Sequence, residues 1–211
     1  MGRLEFYWYE TNPSEESGTA WGQLASAAHR LHFVCDEIQS CAADAPFERA
    51  LERLAYHMEN YLVRVYELRE RAVGLAATID GRPEIARLLK GARHRKDALD
   101  MLRERGAVFC RELEDLLPLL DSDIALRNLH THEQFLAVGL WTEDDIYDPA
   151  DALNDLSSQP DNQRLLREFL VEDTRRLIEE HVAKGKVLFD ATWALLEEVS
   201  PEIYRHRLHG A

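Results

Sequence analysis

The chain has 211 residues, 45% of them hydrophobic and 30% charged, with 25 Lys plus Arg against 39 Asp plus Glu and a net charge of −14. A single domain of this length buries about 70% of its unfolded surface, so folding needs neither disulfide nor metal. The negative balance excludes bulk attraction to nucleic acid or anionic lipid, and any RNA or DNA contact must be a local basic patch. Twenty-one of the 25 cations are Arg, which favours paired, planar recognition over a diffuse cationic coat. Cys35, Cys41 and Cys110 are odd in number and lack C-x-x-C spacing. That argues against a disulfide framework and a structural zinc site, and for free thiols in a reducing compartment. Glu5 and Glu10 flank the aromatic run Phe6–Tyr9, unlike a signal peptide, and Phe6 stands where myristoylation wants Ser or Thr. No apolar run is long enough for a bilayer. The expectation is a soluble cytoplasmic protein with no membrane partner.

In chain order, residues 1–18 read as an extended or irregular segment, with an edge strand at Leu4–Tyr9 as its one element. A first helix is expected over Trp21–Ala43. A second runs from Pro46 to Thr78, before Asp80-Gly81. Its apolar line is Phe47, Leu51, Leu54, Met58, Tyr61, Val65, Leu68, Ala72 and Leu75. Those alternating steps of four and three mark a helix packed nearly antiparallel on its neighbours. Pro83 opens a third segment reaching Leu117, with Gly91 and Gly106 as candidate breaks and Pro118 as its end. A fourth helix is expected over Asp121–Leu140, with Asp121, Ser122 and Asp123 as N-cap candidates. Residues 141–163 are acidic, with a short helix opening at Asp148-Pro149 and a loop at Ser157–Pro160. The last long helix spans Asn162–Val199, and Pro201 starts a tail. No repeat or linker divides the chain. The fold class is all-α, an up-and-down bundle of about five main helices, read as one domain over 19–211.

Several chemistries lack their residues. There is no G-x-G-x-x-G, no Walker loop and no H-E-x-x-H. No His has an acid three residues before it, as a di-iron bundle requires. His29 and His32 share a helix spacing, but two imidazoles do not make a metal site. No cofactor and no metal are expected.

The informative stretch is Ile124–Phe135. On an ideal helix Ile124, Asn128, His132, Leu136 and Leu140 form one i+4 row, so Asn128 and His132 interrupt an apolar line. Such polar groups must be hydrogen-bonded to each other in a core or face a cleft. Arg127 lies about 100° from Asn128 and about 140° from His132 around the helix. Arg, Asn and His together are parts for metal-free RNA cleavage. The His moves protons near neutral pH, the Arg holds phosphate and offsets developing charge, and the Asn orients either group. The 140° offset is relieved if Arg127 reaches around the helix, or if two chains pool residues across a two-fold axis.

Arg127-Asn128-x-x-x-His132 resembles the Arg-Asn-x-x-x-His form of the motif that marks HEPN domains, helical bundles found in RNA-cleaving toxins, defence proteins and CRISPR-associated nucleases. The looser pattern, Arg followed by His after four to six residues, also fits Arg176–His181 and Arg87–His94. The added Asn lowers the chance expectation for this composition to roughly 0.02. The chain departs from the toxin subgroup whose motif ends His-x-Tyr, because Gln134 stands at the Tyr position. The resemblance implies a metal-independent endoribonuclease acting as a homodimer, in which the ribose 2′-hydroxyl attacks the adjacent phosphate and leaves a cyclic phosphate. His132 would be acid or base, Arg127 the phosphate stabiliser and Asn128 a positioning group. It also implies a toxin or antiviral-defence setting, with a neutralising or operon partner protein. HEPN proteins often carry a further polar residue on an earlier helix facing the motif, and Glu67 with Arg71 resembles that element. The plainer reading of that pair is an exposed i,i+4 ion pair.

RNA access needs positive charge. Arg87, Lys90, Arg93, Arg95 and Lys96 fall within ten residues that contain no acid. They form either an RNA-binding groove or a solvated face. Two rival readings accompany the nuclease: a non-catalytic HEPN-like module binding RNA or a protein partner, and an all-α interaction domain whose motif is accidental.

Overall fold

A computed structural model describes residues 16–41, 47–133 and 160–209, with side chains over a narrower span that stops at Asn128 on the motif helix. The described residues form six helices: α1 Glu16–Cys41, α2 Phe47–Asp80, α3 Pro83–Lys90, α4 Ala92–Glu104, α5 Cys110–Glu133 and α6 Pro160–His209. The class is all-α, a helical bundle. No described helix is long and apolar enough to cross a membrane.

The long helices α1, α2, α5 and α6 make a ring in which α1 touches α2 and α6, and α5 touches α2 and α6. Pairing of Gln23 with Arg71, Arg30 with Glu67 and Ser40 with Arg53 sets α1 antiparallel to α2. The indole N–H of Trp21 donates to the Leu196 carbonyl at 3.0 Å, joining the start of α1 to the C-terminal half of α6. Near the end of α1, Cys35 lies against Gly185, so these two helices are antiparallel as well. The short helices α3 and α4 pack on α2 and α5 respectively.

The α2 seam is buried at every described position expected for it, from Leu54 to Leu75. Burial of that apolar line, rather than helix propensity, is what stabilises a helix of this length. Phe47 and Leu51 fall outside the described side chains. α2 stops where Gly81 takes φ 75° and its N–H bonds to the Ala77 carbonyl, a conformation glycine adopts without steric penalty. Both candidate breaks in the third segment are real. Gly91 is extended between α3 and α4, and Gly106 at φ 81° follows α4.

Three boundaries differ from expectation. Pro118 lies inside α5 and does not end it, so Cys110–Glu133 is one helix. Pro118 faces solvent while Leu116, Leu117 and Leu120 are buried, so water can serve the Glu114 carbonyl that proline leaves unbonded. Asp121, Ser122 and Asp123 are therefore mid-helix, not caps. Pro201 is likewise exposed within α6, between buried Val199 and Ile203, and the helix continues to His209. At the N-terminus α1 starts at Glu16, inside the segment expected to be extended. The edge strand at Leu4–Tyr9 and the short helix after Asp148 lie outside the described residues.

A polar junction ties three helices together. The Tyr61 hydroxyl donates to Asp123 Oδ2 at 3.0 Å, and Lys184 Nζ donates to Asp123 Oδ1 at 2.6 Å and to Ser122 Oγ at 2.8 Å. Burial, then the neighbouring Asp123 charge, pushes the Tyr61 phenol well above its ordinary range, so it remains a donor. Each Asp123 oxygen thus has a donor, which a buried carboxylate requires.

Candidate functional site

Arg127 and Asn128 sit near the C-terminal end of α5, about one turn past Ile124. Ile124 is buried and Asn128 is exposed, so the row of mixed character leaves the core between these two residues. Asn128 is therefore not half of a sealed core pair. Its Oδ1 accepts from Arg127 Nη1 at 3.3 Å. The backbone of residue 132 is helical and continues α5, while the His132 side chain lies outside the described residues.

Arg127 turns toward α2. Its guanidinium carbon lies 4.3 Å from the centroid of the Tyr66 ring, within cation–π range. Arg69, three residues along α2 from Tyr66, sits over the same ring at 5.0 Å. Sequence reasoning passed over both residues. Tyr66 immediately precedes the singled-out Glu67, but a tyrosine beside a seam carries no pattern that names its partner on another helix.

Glu67 does not join this cluster. Its carboxylate accepts from Arg30 of α1 at 2.6 Å and from Arg64 at 2.9 Å. Arg71, expected as its partner, donates instead to Gln23 of α1 at 2.7 Å. One step along a helix is a rotation of about 100°, which is why Tyr66 meets α5 while Glu67 meets α1. Burial raises the Glu67 carboxyl, but the Arg64 hydrogen bond and the charges of Arg30 and Arg64 outweigh it. The net position is below the ordinary carboxylate range.

The basic run separates into distinct groups. Arg95 is turned inward, with Nε donating to the Leu89 carbonyl at 3.2 Å and both Nη atoms donating to Asp121. It is a structural bolt between α4 and α5 and does not share the exposed strip. Lys90 pairs with Glu70 of α2. Lys96 is 85% exposed and 3.5 Å from Asp100. Arg87 and Arg93 are exposed and have no ion pair among the described residues.

Lys90 also links the run to the motif. Glu70 accepts from Lys90 through one oxygen and from Arg69 at 3.3 Å through the other. Arg69 lies on Tyr66, and Arg127 lies on Tyr66. An unbroken series of contacts thus leads from α3 through one turn of α2 to the motif on α5.

Other polar clusters carry less chemistry. Ser122 and Lys184 have the spacing of a nucleophile and its base, but Lys184 Nζ donates to Ser122 and is held in an ion pair with Asp123. In the second Arg–His match, His181 Nδ1 is 2.9 Å from the Leu177 carbonyl and Arg176 pairs with Asp173. His29 and His32 pack against Phe189, and His29 also meets Trp193. Among the described residues no three His, Cys, Asp or Glu are gathered to hold a metal ion. Comparison of the chain with protein-family models, curated proteins and solved structures gave no match.

Proposed function

We propose that the protein is a metal-independent endoribonuclease of HEPN type. The observation that carries the reading is the contact series Lys90–Glu70–Arg69–Tyr66–Arg127, which joins the basic run to the motif on one side of the bundle. An RNA strand tracked by Arg87, Arg93 and Lys96 would lead toward Arg127 and Asn128.

In this reading His132 takes the proton of a ribose 2′-hydroxyl, or gives one to the leaving 5′-oxygen. Arg127 offsets the charge that builds on the phosphate, and Asn128 orients Arg127 through its Oδ1. The new bond joins the 2′-oxygen to phosphorus as the 5′-oxygen leaves, giving a cyclic phosphate. Arg127 and His132 differ by about 140° around α5, which favours a homodimer whose two motif helices complete each other's sites. A toxin or antiviral-defence role, with a partner protein that neutralises it, follows the same resemblance.

A second reading, a non-catalytic helical module that binds RNA or a protein, is favoured by the net charge of −14 and by the engagement of Lys90 and Arg95 in ion pairs. Incubating the purified protein with total RNA in excess chelator separates the two. Discrete cleavage products with cyclic phosphate ends support the nuclease, and intact RNA supports the module.

A further inference from the structure

We infer that Tyr66 is a positioning residue for Arg127: its ring fixes where the motif guanidinium sits, and so where a phosphodiester is held. The inference rests on the reading proposed above. Arginine is a long, flexible side chain, and a motif arginine acts on phosphate only if its donors are placed beforehand. On α5 alone, Arg127 and His132 diverge by about 140°. Arg127 meets another helix instead, its guanidinium carbon lying 4.3 Å from the Tyr66 centroid.

Stacking engages the face of a guanidinium and leaves recognition of phosphate to N–H donors in its plane. Asn128 adds an edge contact at 3.3 Å, so face and edge are both defined by protein groups. The ring is itself braced. Arg69 packs on it at 5.0 Å and is anchored to Glu70, which also takes Lys90. Two guanidiniums near one ring bring two positive charges close together, and a bound phosphodiester would offset their repulsion. Tyr66 thus couples the Lys90–Glu70–Arg69 contacts to the motif without touching substrate.

The test uses the full chain with Tyr66→Phe, Tyr66→Leu, Arg127→Ala and the double variant Y66L/R127A, assayed for cleavage of a short RNA and for binding of its uncleavable 2′-O-methyl analogue. Tyr66→Phe keeps the ring and should stay within about threefold of wild type. Tyr66→Leu should lower kcat by about 10–100-fold with KM changed less than about threefold, and the double variant should be no worse than Arg127→Ala by more than about threefold. NMR of the Arg127 side chain supplies a readout independent of activity, since ring protons shift when an aromatic face lies beneath them. That displacement should be present in wild type and Y66F and absent in Y66L. Tyr66→Met replaces Tyr66→Leu if the latter unfolds.

Full activity in the folded ring-less variant, additive losses in the double variant, or an undisplaced wild-type Arg127 signal would each overturn the inference. If Arg127→Ala leaves both cleavage and binding unchanged, the nuclease reading falls and the inference falls with it. If Arg127→Ala is damaging and Tyr66→Leu is silent, the inference falls alone.

Discussion

Arg95 and Asp121 form a two-pronged ion pair between α4 and α5, with Nη2 to Oδ1 at 2.8 Å and Nη1 to Oδ2 at 2.9 Å. The Arg95 side chain is 9% exposed and Asp121 is 42% exposed, so the pair is anchored inside and opens to water on one side. Planar, parallel donors suit a carboxylate in a way no lysine can reproduce.

Arg95 should therefore matter to folding, while its neighbours matter to ligands. Arg95→Ala should lower the free energy of unfolding by about 1.5–3 kcal/mol, the range for hydrogen bonds to charged groups. Arg93→Glu with Lys96→Glu should change it by less than about 0.5 kcal/mol. That double variant should still weaken RNA binding and flatten its salt dependence, since fewer phosphate contacts release fewer counterions. Urea denaturation and binding titrations across salt concentrations check both halves.

The bundle and the α2 seam were legible because burial repeats along a sequence, and Leu54, Met58, Tyr61, Val65 and Leu68 advertise their face by spacing alone. The continuity of α5 through Pro118 was not, because it depends on the proline facing water, a property of the assembled bundle. Arg95 read like Arg93 because a run of cations carries no sign of which one points inward; Asp121 is 26 positions away. Glu67 drew attention through Arg71 four residues on, yet both residues pair with α1. Tyr66 was hidden for the same reason, since its partner Arg127 is on a helix that sequence order places two short helices later.

Gly185 allows close approach of α6 to α1. A Cβ at this position would run into Cys35 Sγ. Burial, followed by the charge of Asp36, pushes the Cys35 thiol up to about 12, so it stays a neutral packing group. Gly185→Ala should destabilise the fold by about 1–3 kcal/mol through overpacking. Cys35→Ala frees space at the same point, so the double variant should be more stable than the sum of single effects implies, by at least about 0.5 kcal/mol. Thermal or urea melts of the four proteins complete the cycle, and strict additivity would show that the two helices already have room.

Glu67 supplies a pH test with a definite sign. Its folded carboxyl is held below the ordinary value of about 4.3 by Arg64 and Arg30 against the opposing effect of burial. A lowered folded pKa contributes stability in full above the unfolded pKa, and that contribution is lost as pH falls through the folded value. Glu67→Gln should cost about 1 kcal/mol at neutral pH, a modest amount because Arg30 is 43% exposed. The difference from wild type should shrink below pH of about 4 and vanish once the native carboxyl is protonated. In the RNA assay Glu67→Gln should stay within about threefold of wild type, as expected of a residue facing α1; a drop of about 10²-fold would instead give it a catalytic role.

The decisive prediction concerns the motif itself. His132→Ala should lower RNA cleavage by about 10²–10⁴-fold, the usual worth of a positioned acid or base. Arg127→Ala should lower it by about 10²–10³-fold through lost stabilisation of the phosphate. The double variant should lose much less than the product of the two, because groups that act as one unit are not additive. His181→Ala, in the competing Arg176–His181 match, should leave cleavage intact, since that imidazole is directed at the Leu177 carbonyl of its own helix. Excess chelator should change none of these rates. Circular dichroism on each variant makes the kinetics interpretable. If His132→Ala loses its helical melting transition along with activity, the imidazole is a structural hydrogen-bonding group. If wild type cleaves no RNA in chelator, the motif is not a nuclease site and the helical-module reading takes its place.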